Sequence, residues 1–551
     1  MNSILKKKLI LIPGLLLILI VAVGFYPGRS DIYLEIAKNL DLLGRVYKEV
    51  AFNYVDEVDP EKFLRAGIQG MLSSLDPYTI FIDEKKIEDI DLITNGKYGG
   101  VGISIGLRGD EVTVVEVMDG YAAQRQGIQI GDVIIEAAGT FITPENIDDI
   151  SSLVKGEPGT TIELRIVRNE LGDTLTFNLV REEVIVKNIT YSGFYPENSN
   201  NVYIKLSNFS RAASDELKKT IKELQEKKTI NSIVLDLRGN PGGLLDIAVD
   251  ICDKFLSRDL LVVSTRGRDE GSEKKYYSVE EPVVAGNVKM IVLINGGSAS
   301  ASEIVAGALQ DHDRAVILGT KSFGKGLVQT ITPLSYNTSL KITTAKYYTP
   351  SGRSIQRIDY SEGSEVIKSL LKESENEFFT DNKRPVYSKG GITPDTTVEF
   401  KINGELTKSL LAKGMFFKYA NNYYFNNPEI KFSEVNDQKL FTDFKEYLSM
   451  EEFNYTSQTE IEIDNLIKSA DDKEEIKTEL LKIKAELSGL YEKEMQIYKD
   501  EILREIKSEL AARYLGIEGR VKEQLNTDEQ LQTALVVLSN DEKYNKLLNV
   551  R

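Results

Sequence analysis

The chain is short of the residues on which most hydrolytic and metal chemistry depends. Its 551 residues include one histidine, one cysteine and no tryptophan. With Cys252 alone, no intramolecular disulfide can form. One histidine and one cysteine also leave no zinc site of the usual ligand types, and no EF-hand loop is present. Carboxylate-bound calcium or magnesium stays open on this ground alone, but no metal and no cofactor is expected. An excess of positive charge is missing as well. The 68 Lys and Arg against 85 Asp and Glu give a net charge of −17, which argues against a nucleic-acid partner, because phosphate contacts need a cationic face. What remains is ordinary for a globular protein, with 41% hydrophobic and 28% charged residues. The length calls for three or four domains.

Long apolar runs are also rare. The run from Leu9 to Phe25, "LILIPGLLLILIVAVGF", is preceded by Lys6, Lys7 and Lys8. Its length is at the lower limit for a membrane span and also fits a signal-peptide core. Residues 1–26 are therefore expected to be a signal anchor or a signal peptide, with the membrane as a partner. Lysines on the near side place everything after Tyr26 on the non-cytoplasmic side, so a cell-envelope location is expected, inner-membrane anchored or exported (periplasmic). Residues 27–90 read as a helical region, with Leu34, Ile36, Leu40, Leu43, Val46 and Val50 at roughly helical spacing. Breakers stand at Asp59-Pro60 and Asp76-Pro77.

From Gly96 to Gly139 short alternating strands are separated by glycine turns, and "TIELRIVRN" and "TLTFNLVREEV" close a β-rich module over residues 91–184. "YGGVGISI" and "GIQIGDVII" make this module resemble a PDZ domain. The resemblance implies that the backbone N–H groups of Tyr98, Gly99, Gly100, Val101 and Gly102 hold a peptide's terminal carboxylate, with the following strand open to peptide addition. One departure is Gly120-Tyr121-Ala122, where a small residue, Pro and Ala are usual.

Residues 185–397 alternate between apolar strands ("NVYIKLSNF", "SIVLDLRG", "KMIVLING", "RAVILG") and helices ("ASDELKKTIKELQEK", "LLDIAVDICDKFL", "SEIVAGALQ"). That pattern is an α/β layered domain whose sheet faces are covered by helices. Its two glycine-rich stretches, "RGNPGG" from Arg238 to Gly243 and "NGGSASAS" from Asn295 to Ser302, sit where strands feed into helices, the usual place for functional loops.

Three serines stand at the second of these: Ser298, Ser300 and Ser302. Ser300-Ala301-Ser302-Glu303 fits a capping box, a purely structural use. A nucleophile here would instead place a developing oxyanion over free helix amides. A hydroxyl needs a base. His312 lies twelve residues past Ser300, about 18 Å along a continuous helix, so it reads as a helix-end or surface residue and a Ser-His-Asp triad is excluded unless the nucleophile lies elsewhere. Lysine remains. "KSFGKGLVQTITPL" offers Lys321 and Lys325, the latter just before an alternating strand. Gln329, four residues on, is expected on the same face as Lys325.

"NGGSASASEIVAGALQDHDRAVILGTKSFGKGLVQ", "LDLRGNPGG", "YYTPSGRSIQ" and "GGITPD" together resemble the carboxyl-terminal processing, or tail-specific, proteases, over roughly Asp31 to Asp395. The resemblance implies a crotonase-like α/β protease domain with an inserted PDZ domain and an N-terminal helical arm. It implies Ser300 as nucleophile, Lys325 as base and Gln329 as its positioner, with Ala301 and either Gly242 or Gly243 supplying oxyanion N–H groups. It also implies capture of protein or peptide substrates by their free C-termini, coupled to catalysis by a basic residue on the module, for which Lys155 and Arg168 are the candidates. A lysine base needs its charged form destabilised by roughly 4–5 kcal/mol, so burial near Lys325 and no carboxylate touching it are expected. The rival reading is a catalytically silent PDZ scaffold at the cell envelope. A third, acyl-thioester chemistry, has only fold analogy behind it.

Residues 398–551 lie outside this resemblance. Leu480, Ile483, Leu487 and Leu490 follow a 4-3-4-3 spacing amid Lys and Glu, so a largely helical C-terminal extension is expected. Its use as packing, as a homo-oligomer contact or as an adaptor-docking surface is open.

Overall fold

The computed structural model describes residues 30–83, 92, 94–168, 173–358, 360, 376–388, 390–399, 404–470, 473–487 and 490–550. The apolar run Leu9–Phe25 and its lysines lie outside these residues. Among the described residues no helix is long and apolar enough to cross a membrane.

The chain divides into two compact units, residues 1–81 and 82–551. In the first, helices Ser30–Asn53 and Pro60–Leu72 bear out the helical reading as far as Leu72, whereas Ile80–Ile82, expected to be helical, is a strand. Asp59 caps the second helix by accepting from the N–H groups of Glu61 and Lys62, with Pro60 at its first turn. Leu34, Ile36, Leu40, Leu43 and Val46 are exposed.

The second unit is built on a six-stranded sheet. Asn201–Leu206, Ser232–Asp236, Lys289–Ile294 and Val316–Gly319 run parallel at its centre. Ile189–Phe194 pairs antiparallel at one edge and Thr396–Thr397 parallel at the other. The unbroken apolar strands have a simple cause. Ile233, Leu235, Met290, Val292 and Ile294 pack under helices Ala213–Lys227, Leu245–Cys252 and Ala301–Asp311. Val234, Ile291 and Leu293, pointing the other way by strand alternation, pack on Val521, Leu531, Ala534 and Val537.

That second layer is supplied by the helical extension after residue 398. Helices Glu529–Ser539 and Asp541–Leu547 form the far cover of the protease sheet. Only the earlier C-terminal helices, among them Met415–Asn426 and Asp437–Met450, share a core of their own around Phe416, Tyr419 and Phe444. Of the 4-3-4-3 series, Leu480 and Ile483 lie in helix Glu474–Leu487, while Leu490 starts the next helix.

The 91–184 module is an antiparallel sheet in the order Ile103–Arg108, Glu111–Val117, Val133–Ala137, Thr161–Arg168, Asp173–Val180. Its core holds Val112, Val114, Ile134, Leu164 and Ile166. The short helix Ala122–Gln126 ends at Gly127 in the left-handed conformation, φ 89°. Arg108 stacks its guanidinium over Phe417 of helix Met415–Asn426, 4.9 Å from the ring centroid, and so joins the module to the C-terminal helices.

Candidate active site

The three serines have different surroundings. Ser298 and Ser302 are fully buried. The Ser298 hydroxyl donates to Leu237 O at 2.8 Å and accepts from the Asn295 N–H, and Ser302 donates to Asn240 O at 2.9 Å. Both hydroxyls are spent on joining the two glycine-rich loops. Ser300 is half-buried and stands at the N-cap of helix Ala301–Asp311 with φ 55° and ψ −114°. A positive φ at a non-glycine residue costs on the order of 1–2 kcal/mol and persists only where the surroundings enforce it. The residues are arranged as a capping box, yet the Ser300 hydroxyl stops short of a hydrogen bond to the helix. Its N–H donates to Glu303 Oε2 at 2.9 Å.

Glu303 does more than cap. Its buried carboxylate also accepts from the N–H groups of Lys325 (Oε2, 2.9 Å) and Gly324 (Oε1, 2.7 Å) and from the Ser322 hydroxyl (Oε1, 2.5 Å). One oxygen therefore binds the backbone nitrogens of both Ser300 and Lys325, and twice 2.9 Å bounds their separation. Burial pushes the Glu303 carboxyl above its ordinary value, opposed by the hydrogen bonds from Ser322, Lys325, Gly324 and Ser300. Tyr347 works from beneath. Fully buried, its hydroxyl donates to Lys325 O at 2.6 Å and lies 3.2 Å from Ser300 O. Burial and the nearby Glu303 raise its phenol well above the usual range.

The remaining motifs close around this pair. The Gly326 N–H donates to Gln356 Oε1 at 2.6 Å, and the Ile392 N–H donates to Ser322 Oγ at 2.6 Å. Fully buried Arg353 donates to Gln310 Oε1 and Asp311 Oδ1 at the far end of the serine-bearing helix. On the other side, Gly242 (φ 98°) lies so close that a Cβ there would sit 2.8 Å from Ala301 N and 2.9 Å from Ser300 Cβ. Only glycine fits. The Gly242 N–H is spent on Asn240 Oδ1 at 2.9 Å. Of the two glycines left open by the sequence, this leaves Gly243 as the candidate oxyanion donor beside Ala301. Asn240 fixes the turn, donating from Nδ2 to Leu206 O and accepting at its carbonyl from Ala299 N–H.

Residues 200–363 match peptidase family S41, residues 113–168 a PDZ domain, residues 406–538 the C-terminal helical domain of a probable PDZ-protease, and residues 28–86 the N-terminal domain of the activating protease CtpB. The carboxy-terminal-processing protease of Bartonella bacilliformis is 40% identical over 324 residues, 58% of this chain and 73% of that protein. The chain belongs to the carboxy-terminal processing protease family. It is a PDZ-containing, serine-type peptidase. Carboxy-terminal processing protease CtpB of Bacillus subtilis is 31% identical over 332 residues, 60% of this chain and 68% of its own length.

The structure bears on several of the expectations above. Strand alternation does not by itself relate Lys325 to Gln329, because the strand begins only at Leu327; the irregularity opposite Val328 and Gln329 places its extra residue, Thr344, on the partner strand. Gln329 Nε2 lies 3.4 Å from Thr343 Oγ1. Glu303 meets Lys325 at its backbone N–H, a contact that leaves the expectation about the ammonium untouched. Finally, the five residues Tyr98 to Gly102 are not an open loop. Lys97–Gly100 is a strand paired with Glu182–Ile185, Gly100, Val101 and Gly102 are buried, and Gly99 packs against Gly156. Tyr121 covers Gly102 and accepts the Ile185 N–H at 2.9 Å, which is what the unusual Gly120-Tyr121-Ala122 supplies. His312 ends the helix as expected but is not a surface residue: its Nδ1 is 2.8 Å from Asp381 and its Nε2 2.7 Å from Leu261 O.

Glu303 and Tyr347 were missed as site residues. The S-x-x-E spacing hinted at Glu303, and "YYTP" contained Tyr347 without any local signal. Of the two basic candidates on the module, Arg168 is engaged by Asp132 at 2.6 Å, and Lys155 Nζ lies 5.9 Å from the Tyr98 ring centroid.

Proposed function

We propose that this protease captures the C-terminal tails of protein substrates through residues 91–184 and cleaves peptide bonds with a Ser300–Lys325 dyad, Lys325 being oriented by Gln329. The observation that carries the reading is the contrast among the serines. Ser298 and Ser302 spend their hydroxyls on backbone, while Ser300 stands strained at a helix N-terminus, tied to Lys325 through Glu303 and Tyr347.

In the proposed mechanism neutral Lys325 Nζ takes the Ser300 proton as Oγ bonds to the scissile carbonyl carbon. The tetrahedral oxyanion lies over the N–H groups of Ala301 and Gly243 and the positive end of the helix. The C–N bond breaks as the Lys325 ammonium returns the proton to the leaving amine. Lys325 then activates water against the acyl-enzyme, and Ser300 is restored. Lys155 is the favoured basic residue for coupling tail binding to this site.

A crotonase-like core is part of the same proposal, supported by the parallel sheet between two helical layers. So is a membrane-anchored or exported enzyme with its catalytic domains on the non-cytoplasmic side, supported by Lys6–Lys8 before the apolar run. Cleavage of an unstructured protein by wild type, Ser300→Ala, Lys325→Ala and Ser298→Ala tests the dyad. Only wild type and Ser298→Ala are expected to cleave. An inert wild type would favour the silent scaffold.

A further inference from the structure

We infer that Asp528, in the C-terminal helical region, is a positioning residue for the oxyanion side of the site, an inference that rests on the Ser300 reading above. The loop Arg238–Gly243 that carries the candidate oxyanion glycine has two residues at positive φ, Gly239 (72°) and Gly242 (98°). Such a backbone holds its place only if its ends are fixed. Its first residue is fixed twice over. Arg238 donates to Asp236, the last residue of its own strand, at 2.9 and 3.0 Å from Nε and 2.6 Å from one terminal nitrogen. On the opposite side the terminal nitrogens reach Asp528, 290 residues away, at 3.0 and 2.5 Å, and Gln530 Oε1 at 2.8 Å.

All five guanidinium donors are thereby used, in the planar, two-sided arrangement that arginine alone offers. Asp236 is fully buried. Burial pushes its carboxyl up, yet Arg238 holds it below the ordinary value, so the ionised pair is the stable form. Tyr203 adds a 2.6 Å donor to the same carboxylate. A purely local strand end would be satisfied by Asp236. The second carboxylate comes from a helix seated on the back of the catalytic sheet through Leu531, Ala534, Val537 and Leu538. Asp528 also caps that helix, accepting from the Leu531 N–H at 3.0 Å. The helix thus fixes Arg238, Arg238 fixes the start of the loop, and the loop ends against Ser300 and Ala301.

Asp528→Asn separates this role from plain stability, since asparagine caps a helix as well as aspartate does and removes the charge and the Oδ2 acceptor facing Arg238. Full-length enzyme should lose about tenfold in kcat, less than the 10²–10³ for deleting an oxyanion donor outright, with KM within about twofold. Inhibition by a peptide aldehyde, whose adduct oxygen would sit over Ala301 and Gly243, should weaken by the same factor. Asp528→Glu should recover part of the rate. Asn540→Ala removes the cap of the adjacent helix without touching Arg238 and should keep wild-type kcat. Gln530→Ala, which strips one acceptor from Arg238 and leaves the cap intact, should give a milder fall. Wild-type kcat in Asp528→Asn, or an equal loss in Asn540→Ala, would overturn the inference. A Ser300→Ala enzyme that still cleaved would overturn the underlying reading instead.

Discussion

Tyr347→Phe is the sharpest perturbation that the geometry offers, because it removes one oxygen and nothing else. The Tyr347 side chain is fully buried, and its hydroxyl donates to Lys325 O at 2.6 Å. Ser300 O, 3.2 Å away, keeps the helix N–H groups of Glu303 (2.8 Å) and Ile304 (3.0 Å), so Lys325 O loses the most. A buried carbonyl that loses its donor costs about 1–3 kcal/mol. For a domain of this size that is a fall in Tm of roughly 2–4 °C per kcal/mol. The rate should suffer more. Lys325 would keep Glu303 on its N–H but lose the donor that fixes its carbonyl, and a displacement of about 1 Å at a reacting group can cost on the order of 10²-fold. The expected result is kcat down about 10- to 100-fold, KM within about twofold, and a modest loss of Tm. Initial rates on a fluorescently labelled unfolded protein, with calorimetry on the same preparation, measure all three. A lowered Tm with unchanged kcat would refute the reasoning, since Tyr347 would then be core and not clamp.

Glu303→Gln should lower kcat about tenfold, because one of the backbone N–H groups now served by the carboxylate would face an amide N–H₂. The pH dependence has a definite sign. Burial raises the folded-state value above the ordinary one of 4.5, so the carboxyl's contribution to stability is fully present below that value and is lost as pH rises through the raised value. The stability gap between wild type and Glu303→Gln, followed by calorimetry from pH 4.5 upward, should therefore narrow; a widening gap would contradict it. In the Ser300→Ala protein, a peptide with small or apolar C-terminal residues should bind far more tightly as free acid than as amide, and Lys155→Ala should weaken the free acid selectively. Equal titrations of acid and amide would remove tail capture from the account.

Much of the site was legible because its residues lie in short, contiguous signals. The glycine-rich turns before Ala301–Asp311 and after Ser232–Asp236 announced where chemistry would sit, and unbroken apolar strands announced a sheet covered on both faces. What escaped depended on contacts distant in sequence. Nothing local marks Tyr347 as lying under Lys325, or Asp528 as reaching Arg238. The helices after residue 521 read as an appendage because their apolar stripe does not say which surface it covers; that surface is Val234, Ile291 and Leu293. The stretch Tyr98–Gly102 misled for the opposite reason. Its glycines suggested open backbone, whereas Gly99 is glycine because Gly156 O leaves no room for a Cβ.

The central claim is that Ser300 is a nucleophile activated by Lys325. It is tested most directly by the rate and site of covalent modification with a serine-directed phosphonofluoridate, read by intact mass and peptide mapping. One adduct should form per chain, on Ser300, with fluoride displaced as Oγ bonds to phosphorus. It should be absent in Ser300→Ala and slowed at least about a hundredfold in Lys325→Ala. An adduct on Ser298 or Ser302, or an unchanged rate in Lys325→Ala, would contradict the account.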